Sequence, residues 1–269
     1  MTKLRYRTVW LSDIHLGTRD AQVDYLLDFL NHVEFDTLYL VGDIIDVWKM
    51  RSGWYWTQTT LEVVHKVMER ARQGVQVIYI PGNHDEILRD YCGTFVNGLR
   101  IERQAIHRCA NGKRLLVMHG DEFDCVVVCN KWLAHLGSWA YDSLLALNRR
   151  FDFLRRKLGF GYWSLAGFLK VKVKSAVNFI GNFEDALVRA AHEAEVDGVV
   201  CGHVHHADLN EEGAVFYANC GDWVESCTAL TEDDSGSFRI IHWARDGSQL
   251  LKSVVGDNPP IPIRPRAAA

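Results

Sequence analysis

The chain has 269 residues, 48% hydrophobic and 24% charged with only five prolines, an ordinary soluble composition large enough for one well-buried core and a sizeable insertion. A formal net charge of −4 argues against a protein that coats nucleic acid by bulk electrostatics, and no apolar run reaches the roughly 18 residues of a membrane span. The seven cysteines are odd in number and form no C-x-x-C, and no apolar leader precedes the first strand, so the expected setting is a reducing cytoplasm rather than a disulfide framework.

In chain order, "RTVWL" (7–11) reads as a buried strand, and "AQVDYLLDFLNHV" (21–33) follows with Val23, Leu26, Leu27, Leu30 and Val33 at helical spacing. "DTLYLVGD" (36–43) is a second strand, "TTLEVVHKVMERARQG" (59–74) a helix stopped by Gly74, and "VQVIYIPGNHD" (75–85) a third strand. Alternation of this kind means α/β. Shorter strands come next, "LRIERQAIHRC" and "KRLLVMHGDE", and the last third adds "VDGVVCGHVHH", "AVFYANCGDW", "CTALTED" and "SFRIIHW", with turns expected at "EEG", "DDSG" and "RDG". The expectation is two sheets packed face to face with helices outside. Between 122 and 182 strand patterning gives way to helix-like segments rich in aromatics and arginines, read as a helical cap inserted into a core made of 1–121 and 183–256. The tail 257–269 has the prolines of extended surface chain and is given no function.

The residues that close the apolar strands are alike in kind. They are Asp13 and His15 in "SDIH", Asp43 in "VGDIID", Asn83, His84 and Asp85 in "GNHD", His119 in "MHGD", and His203 and His205 in "CGHVHH". One such motif is ordinary turn chemistry, since Asp and Asn bond their own backbone and tolerate turn dihedrals. Recurrence at successive strand ends points instead to a shared ligand, because open α/β sheets bind outside the carboxyl ends of their strands. The other histidines lack this context: His32, His65, His135 and His192 lie in helix-like segments, His107 and His242 in strand-like ones. Carboxylate, amide and imidazole ligands without thiolate favour Mn²⁺, Fe²⁺ or Zn²⁺, with Mn²⁺ the expected ion. The candidates are too many for one ion. Two ions roughly 3.5–4 Å apart would share a bridging carboxylate, and Asp43 is the candidate bridge.

The ordered set "DIH", "GDIID", "GNHD", "MHGD", "GHVHH" resembles the calcineurin-like metallophosphoesterase family, over the whole chain outside the cap. The resemblance implies a four-layer α/β/β/α sandwich with an inserted helical cap, and a dinuclear centre. It would place Asp13, His15, Asp43 and His205 on one ion and Asp43, Asn83, His119 and His203 on the other. His84 would contact the phosphate and assist the leaving group, oriented by Asp85. Within the family, "GDIIDVW" ending in Trp48, "MHGDEFD" running into the insertion, and the cap before "GHVHH" look most like the UDP-2,3-diacylglucosamine pyrophosphohydrolases of lipid A biosynthesis. The best-known branch has Arg where this chain has His84, and the resemblance is closer to a branch that keeps His.

From Arg149 to Lys174 the cap carries eight cations against the single acid Asp152, interleaved with aromatics and leucines, which suits an anionic lipid surface. Lys174 is the leading cap residue for a phosphate or sugar, and Asp124 for a sugar hydroxyl or amide; Trp48, Asn83 and His203 complete the substrate-binding set. The expected partners are a UDP-linked acylated glucosamine and, through the cap, the inner membrane surface, with nucleic acid set aside. The alternatives are a soluble phosphodiesterase or nucleotidase, or a non-catalytic binding module, against which the intact ligand set argues.

Overall fold

Three near-continuous apolar runs make the centre of the structure, a computed structural model that describes residues 3–51, 53, 55–123, 183–210 and 215–255. Strands β1 (Leu4–Leu11), β2 (Val33–Val41) and β3 (Gln76–Ile80) pair in parallel, and their C-terminal halves are buried on both faces. Alternation explains the double burial. Val9, Leu11, Leu38, Leu40, Val77 and Tyr79 pack toward the helices, whereas Trp10, Tyr39, Val41 and Ile80 join residues of a second sheet.

The first sheet has the order β12-β11-β1-β2-β3-β5-β4 and the second β6-β7-β8-β10-β9. The remaining strands are β4 (Phe95–Val96), β5 (Leu99–Ile101), β6 (Ala105–Arg108), β7 (Arg114–Val117), β8 (Gly198–Cys201), β9 (Asp208–Asn210), β10 (Phe216–Asn219), β11 (Thr228–Glu232) and β12 (Phe238–His242). Within the second sheet β7, β8 and β10 are parallel. The helices are α1 (Val23–His32), α2 (Val47–Met50), α3 (Gln58–Arg72), α4 (residues 183–193) and α5 (Trp243–Val255). Two sheets and flanking helices make this a mixed α/β sandwich. The chain divides into two compact units, residues 1–121 with 188–269, and residues 122–187. The expected cap, 122–182, lies almost wholly outside the described residues, as does the "EEG" turn.

Helix α3 starts at a capping box, Thr57 Oγ1 accepting from Thr60 N–H at 3.1 Å, and is followed by Gly74 at φ 101°. Its buried Arg70 donates to the carbonyls of Leu30 and Val33, both at 3.1 Å, and so satisfies the end of α1.

Three expectations needed correction. Val33 opens β2 rather than extending the apolar face of α1, because the chain passes from helix to strand without a loop. "LRIERQAIHRC" is two strands: β5 belongs to the first sheet and β6 to the second, with the polar 102–104 crossing between them. "RDG" is not a turn but lies inside α5, where Gly247 lets the helix sit on the Trp243 ring; a Cβ there would come within 2.9 Å of it.

A buried carboxylate fastens the two sheets together. Glu232 of β11 accepts from Arg7 Nη1, Thr8 Oγ1 and His107 Nε2 on one oxygen, each at 2.9 Å, and from Ala110 N–H on the other at 2.7 Å. His107, Cys109 and Glu232 are ligand types in reach of one another. Both Glu232 oxygens are already occupied, however, and burial pushes the Cys109 thiol up to about 12, so this cluster is structural. Burial alone would raise the Glu232 pKa, but His107, Ala110 and Thr8 outweigh it and hold the carboxyl below its ordinary value. A depressed folded-state pKa contributes stability above the ordinary carboxylate range and loses it as pH falls through the folded value. Glu232→Ala should cost about 2–4 kcal/mol in urea unfolding near neutral pH, since it takes the carboxylate from Arg7, Thr8, His107 and Ala110 N–H at once. The gap between parent and Glu232→Gln should narrow as the titration is moved toward pH 3.

Candidate metal centre

All five polar motifs follow parallel strands at their carboxyl ends: 13–15 after β1, 43 after β2, 83–85 after β3, 119 after β7 and 203–205 after β8. The strand ends therefore converge as the sequence suggests, with both sheets contributing. Asp13, His15, Asp43, His203 and His205 are all at positive φ, between 51° and 71°. For residues with a Cβ that conformation costs on the order of 1–2 kcal/mol each and persists only where neighbours impose it. Here the loops impose it on one another, through Asp13 N–H to Gly42 O at 3.0 Å, His15 N–H to Asp43 O at 2.9 Å and Gly202 N–H to His119 O at 3.1 Å.

Asp43 stands at the middle. Its Oδ2 is 3.5 Å from His119 Nε2, 3.9 Å from His15 Nε2 and 4.0 Å from His84 Nε2, and its Oδ1 accepts from His84 N–H at 2.8 Å. Asp13 Oδ1 is 3.3 Å from His205 Nε2 while Oδ2 accepts from His203 N–H at 2.9 Å. His119 is aimed by its other nitrogen, Nδ1 donating to Val41 O at 3.0 Å. Ligand atoms here gather in three groups, Asp13 with His15 and His205, Asp43 with His119 and His203, and His15 with Asp46 and His84, each within 4.8 Å. Two glycines make room. A Cβ on Gly42 would sit 2.1 Å from His119 Nδ1, and one on Gly82 would sit 2.3 Å from Asp43 Oδ1.

Do these residues fit a pair of cations? Asp13 Oδ1, Asn83 Oδ1 and His119 Nε2 are buried without a hydrogen-bond partner among the described residues. The Nε2 atoms of His15 and His205 face each other at 3.4 Å. Buried acceptors of this kind are costly unless something positive meets them, so the donor set fits divalent ions. The pKa values report the same field. Burial would raise Asp43, but the His119 imidazole 3.5 Å away holds it well below the carboxylate range. Burial would lower His119, but Asp43 and Asp13 bring it up to about 10.

The residue expected to orient His84 does not do so. Asp85 Oδ2 accepts from Ile44 N–H at 2.8 Å, Ile45 N–H at 3.3 Å and the Tyr79 hydroxyl, and Oδ1 from Gly82 N–H at 2.6 Å, so it ties the loop after β3 to the loop after β2. The carboxylate that faces His84 is Asp46, whose Oδ2 is 3.1 Å from His84 Nδ1 and 3.1 Å from His15 Nδ1. Its Oδ1 accepts from Lys49 N–H at 2.8 Å and caps α2. Asp46 is the second acid of "GDIID", a signal present in the sequence but passed over. Asn219 was missed too; its Nδ2 donates to Gly202 O at 2.7 Å and steadies the 203–205 loop. Trp48 lies over His84, ring centroids 4.5 Å apart, and is 43% exposed. Arg89 bonds both oxygens of Asp121, at 2.8 and 2.6 Å, joining the loop after β3 to the loop after β7. Asp124 and Lys174 lie outside the described residues.

Among known proteins, a UDP-2,3-diacylglucosamine hydrolase of Porphyromonas gingivalis is 28% identical over 127 residues, covering 44% of this chain and 47% of that protein. The chain thus spans about half the length of that relative. A UDP-2,3-diacylglucosamine hydrolase of Shewanella halifaxensis is 23% identical over 252 residues, 84% of this chain and 93% of that one. Among solved structures, an archaeal phosphodiesterase aligns with a TM-score of 0.41 at 14% identity, covering 87% of this chain and 98% of that one. The family model for calcineurin-like phosphoesterases matches residues 6–207, a span that takes in all five strand-end motifs, and the chain belongs to that family.

Proposed function

We propose that this phosphoesterase hydrolyses the pyrophosphate of UDP-2,3-diacylglucosamine, giving UMP and 2,3-diacylglucosamine 1-phosphate, with two divalent ions, Mn²⁺ foremost. One ion would be held by Asp13, His15, Asp43 and His205, the other by Asp43, Asn83, His119 and His203. The observation that carries this reading is Asp43 lying between both groups, with Asn83 Oδ1, Asp13 Oδ1 and His119 Nε2 buried and unanswered around it. When bound, such a pair of ions acidifies water and draws charge from a phosphoryl oxygen.

The chain's own side chains supply the rest. His84 is half-buried at the rim, its Nδ1 3.1 Å from Asp46 Oδ2 and its Nε2 4.0 Å from Asp43 Oδ2. From there Nε2 would meet a phosphate oxygen and deliver a proton to the leaving group. Trp48, packed on the His84 ring and open to solvent, offers a flat apolar face beside the reacting phosphates. The choice of substrate rests on the activities of the two relatives and on the cationic, aromatic composition of 149–174; Lys174 would contact the phosphate or sugar, and Asp124 a sugar hydroxyl or amide. In this reading 122–182 is a cap on a core of 1–121 and 183–256, and it brings the enzyme to the cytoplasmic face of the inner membrane. No described helix is long and apolar enough to cross a membrane.

Metal content separates the roles. Asp43→Ala should retain less than half of the parent's bound Mn²⁺ by elemental analysis, whereas His84→Ala should keep the parent's content and lose roughly 10²–10⁴-fold in kcat. Equal metal in the Asp43 variant and the parent would remove the bridge. For the substrate, burial at about 0.8 kcal/mol per CH₂ should give UDP-2,3-diacylglucosamine a large advantage in kcat/KM over UDP-N-acetylglucosamine and over an aryl phosphodiester in mild detergent. Equal cleavage of the three would replace the lipid reading with that of a general phosphodiesterase.

A further inference from the structure

Away from the metal centre, the exposed apolar surface is concentrated at one edge. Among the described residues seven large hydrophobic side chains are exposed, and five of them, Ile87, Tyr91, Phe95, Val96 and Ile106, lie between positions 87 and 106. They sit on the 3-10 turn Glu86–Tyr91, on β4 and on β6. Beside them a cleft of about 700 Å³ opens at the margins of the two sheets, lined by Ile78, Phe95, Arg100, Glu102 and Ile106 among others. Exposed apolar side chains gathered on neighbouring segments mark an interaction surface more often than bare solvent contact.

The backbone indicates which kind. β4 is the last strand of the first sheet, paired on one side only, with β5. Val96 and Leu99 flank the turn residues Asn97 and Gly98, at φ 50° and 88°, as a two-residue type I′ hairpin requires. The pair closing such a turn exchanges hydrogen bonds, so by alternation Phe95 and Arg100 are a non-bonded pair, and Thr94 O again accepts from Ile101 N–H at 3.1 Å. The N–H and C=O of Phe95 therefore point away from β5, toward the open side of the sheet. Phe95 is also the most exposed of the seven, at 67%.

We propose that this edge is a two-fold interface between copies of the chain, in which β4 pairs antiparallel with β4 of a second copy. Phe95 meets its symmetry mate, the two residues exchange both backbone hydrogen bonds, and the two seven-stranded sheets become one. A two-fold axis makes the same patch serve both sides, and one residue with an outward donor, an outward acceptor and an exposed ring is what such an axis needs at its centre. The charges agree. Arg100 and Glu102 stand side by side, Nε to Oε1 3.9 Å. The surface thus carries both signs, which suits a self-complementary contact and gives an anionic bilayer no excess of cations to hold.

Sedimentation or light scattering of the full chain at micromolar concentration should give twice the mass of one chain. Phe95→Asp, which opposes two carboxylates across the axis, should give the single mass with unchanged far-UV circular dichroism and unchanged phosphodiester hydrolysis per chain. In a Cys92→Ser background, Phe95→Cys should form a disulfide-linked dimer on mild oxidation, because a hydrogen-bonded antiparallel pair sets Cα atoms about 5.5 Å apart, within disulfide range, while Arg100→Cys should not. A parent chain of single mass, or a Phe95→Asp variant that stays dimeric, overturns the interface. So does a monomeric parent that co-sediments with phosphatidylglycerol vesicles through Phe95, which would hand the patch to a membrane.

Discussion

Four carboxylates, Asp13, Asp43, Asp46 and Asp85, are at most 2% exposed and crowd one end of the sandwich. Each would cost several kcal/mol if left unanswered, and the surrounding loops are arranged to meet that demand. Asp85 is answered entirely by neutral donors, three backbone N–H groups and the Tyr79 hydroxyl, and burial keeps its pKa raised. The other three divide their oxygens between backbone N–H groups and histidine rings. That division separates a carboxylate that holds loops together from carboxylates whose remaining lone pairs, with Asn83 Oδ1, are left to meet a cation.

Convergence of the loops depends on strand direction. Parallel β1, β2 and β3 bring Asp13, Asp43 and His84 to one edge of the first sheet, and parallel β7 and β8 bring His119 and His203 to the matching edge of the second. The site therefore straddles the seam between the sheets, and its geometry is only as fixed as the seam. Side-chain contacts across it include the Arg89 to Asp121 pair, His119 to Val41 O and Asp13 to His203 N–H at the site, and the Glu232 cluster that joins β1, β6 and β11 within the sandwich. Left-handed backbone at five of the converging residues then turns each side chain inward over a very short arc of chain.

The strand-end motifs were legible in the sequence because they are local: an apolar run that gives way, beside a glycine or serine, to acid, amide or imidazole. Their meeting in space follows from the alternation of strands and helices, which the sequence also displays. What was not legible depends on pairing between loops. Asp46 and Asp85 both stand three residues or fewer from a candidate ligand, and only the crossing of the β2 and β3 loops decides that Asp46 faces the imidazoles while Asp85 faces backbone. "RDG" carries a turn signature that the packing of Gly247 on Trp243 overrides, and the two-residue β4 is too short to produce any period.

Asp46 also connects two parts of the site that would otherwise be independent. Its Oδ2 is 3.1 Å from the Nδ1 of both His15 and His84 and is hydrogen-bonded to His15, so one carboxylate oxygen lies against both rings. Their planes stand nearly perpendicular, 87° apart with centroids at 4.7 Å, and Trp48 closes the outer face of His84. Burial falls along this line, from His15 at 7% exposed to Trp48 at 43%. The ring nearest solvent is thereby positioned from the core outward. Asp46 sets the His15 ring, His84 packs edge-on against it and the indole lies on His84, so whatever approaches the outer edge of His84 meets a surface built up from the residues beneath it.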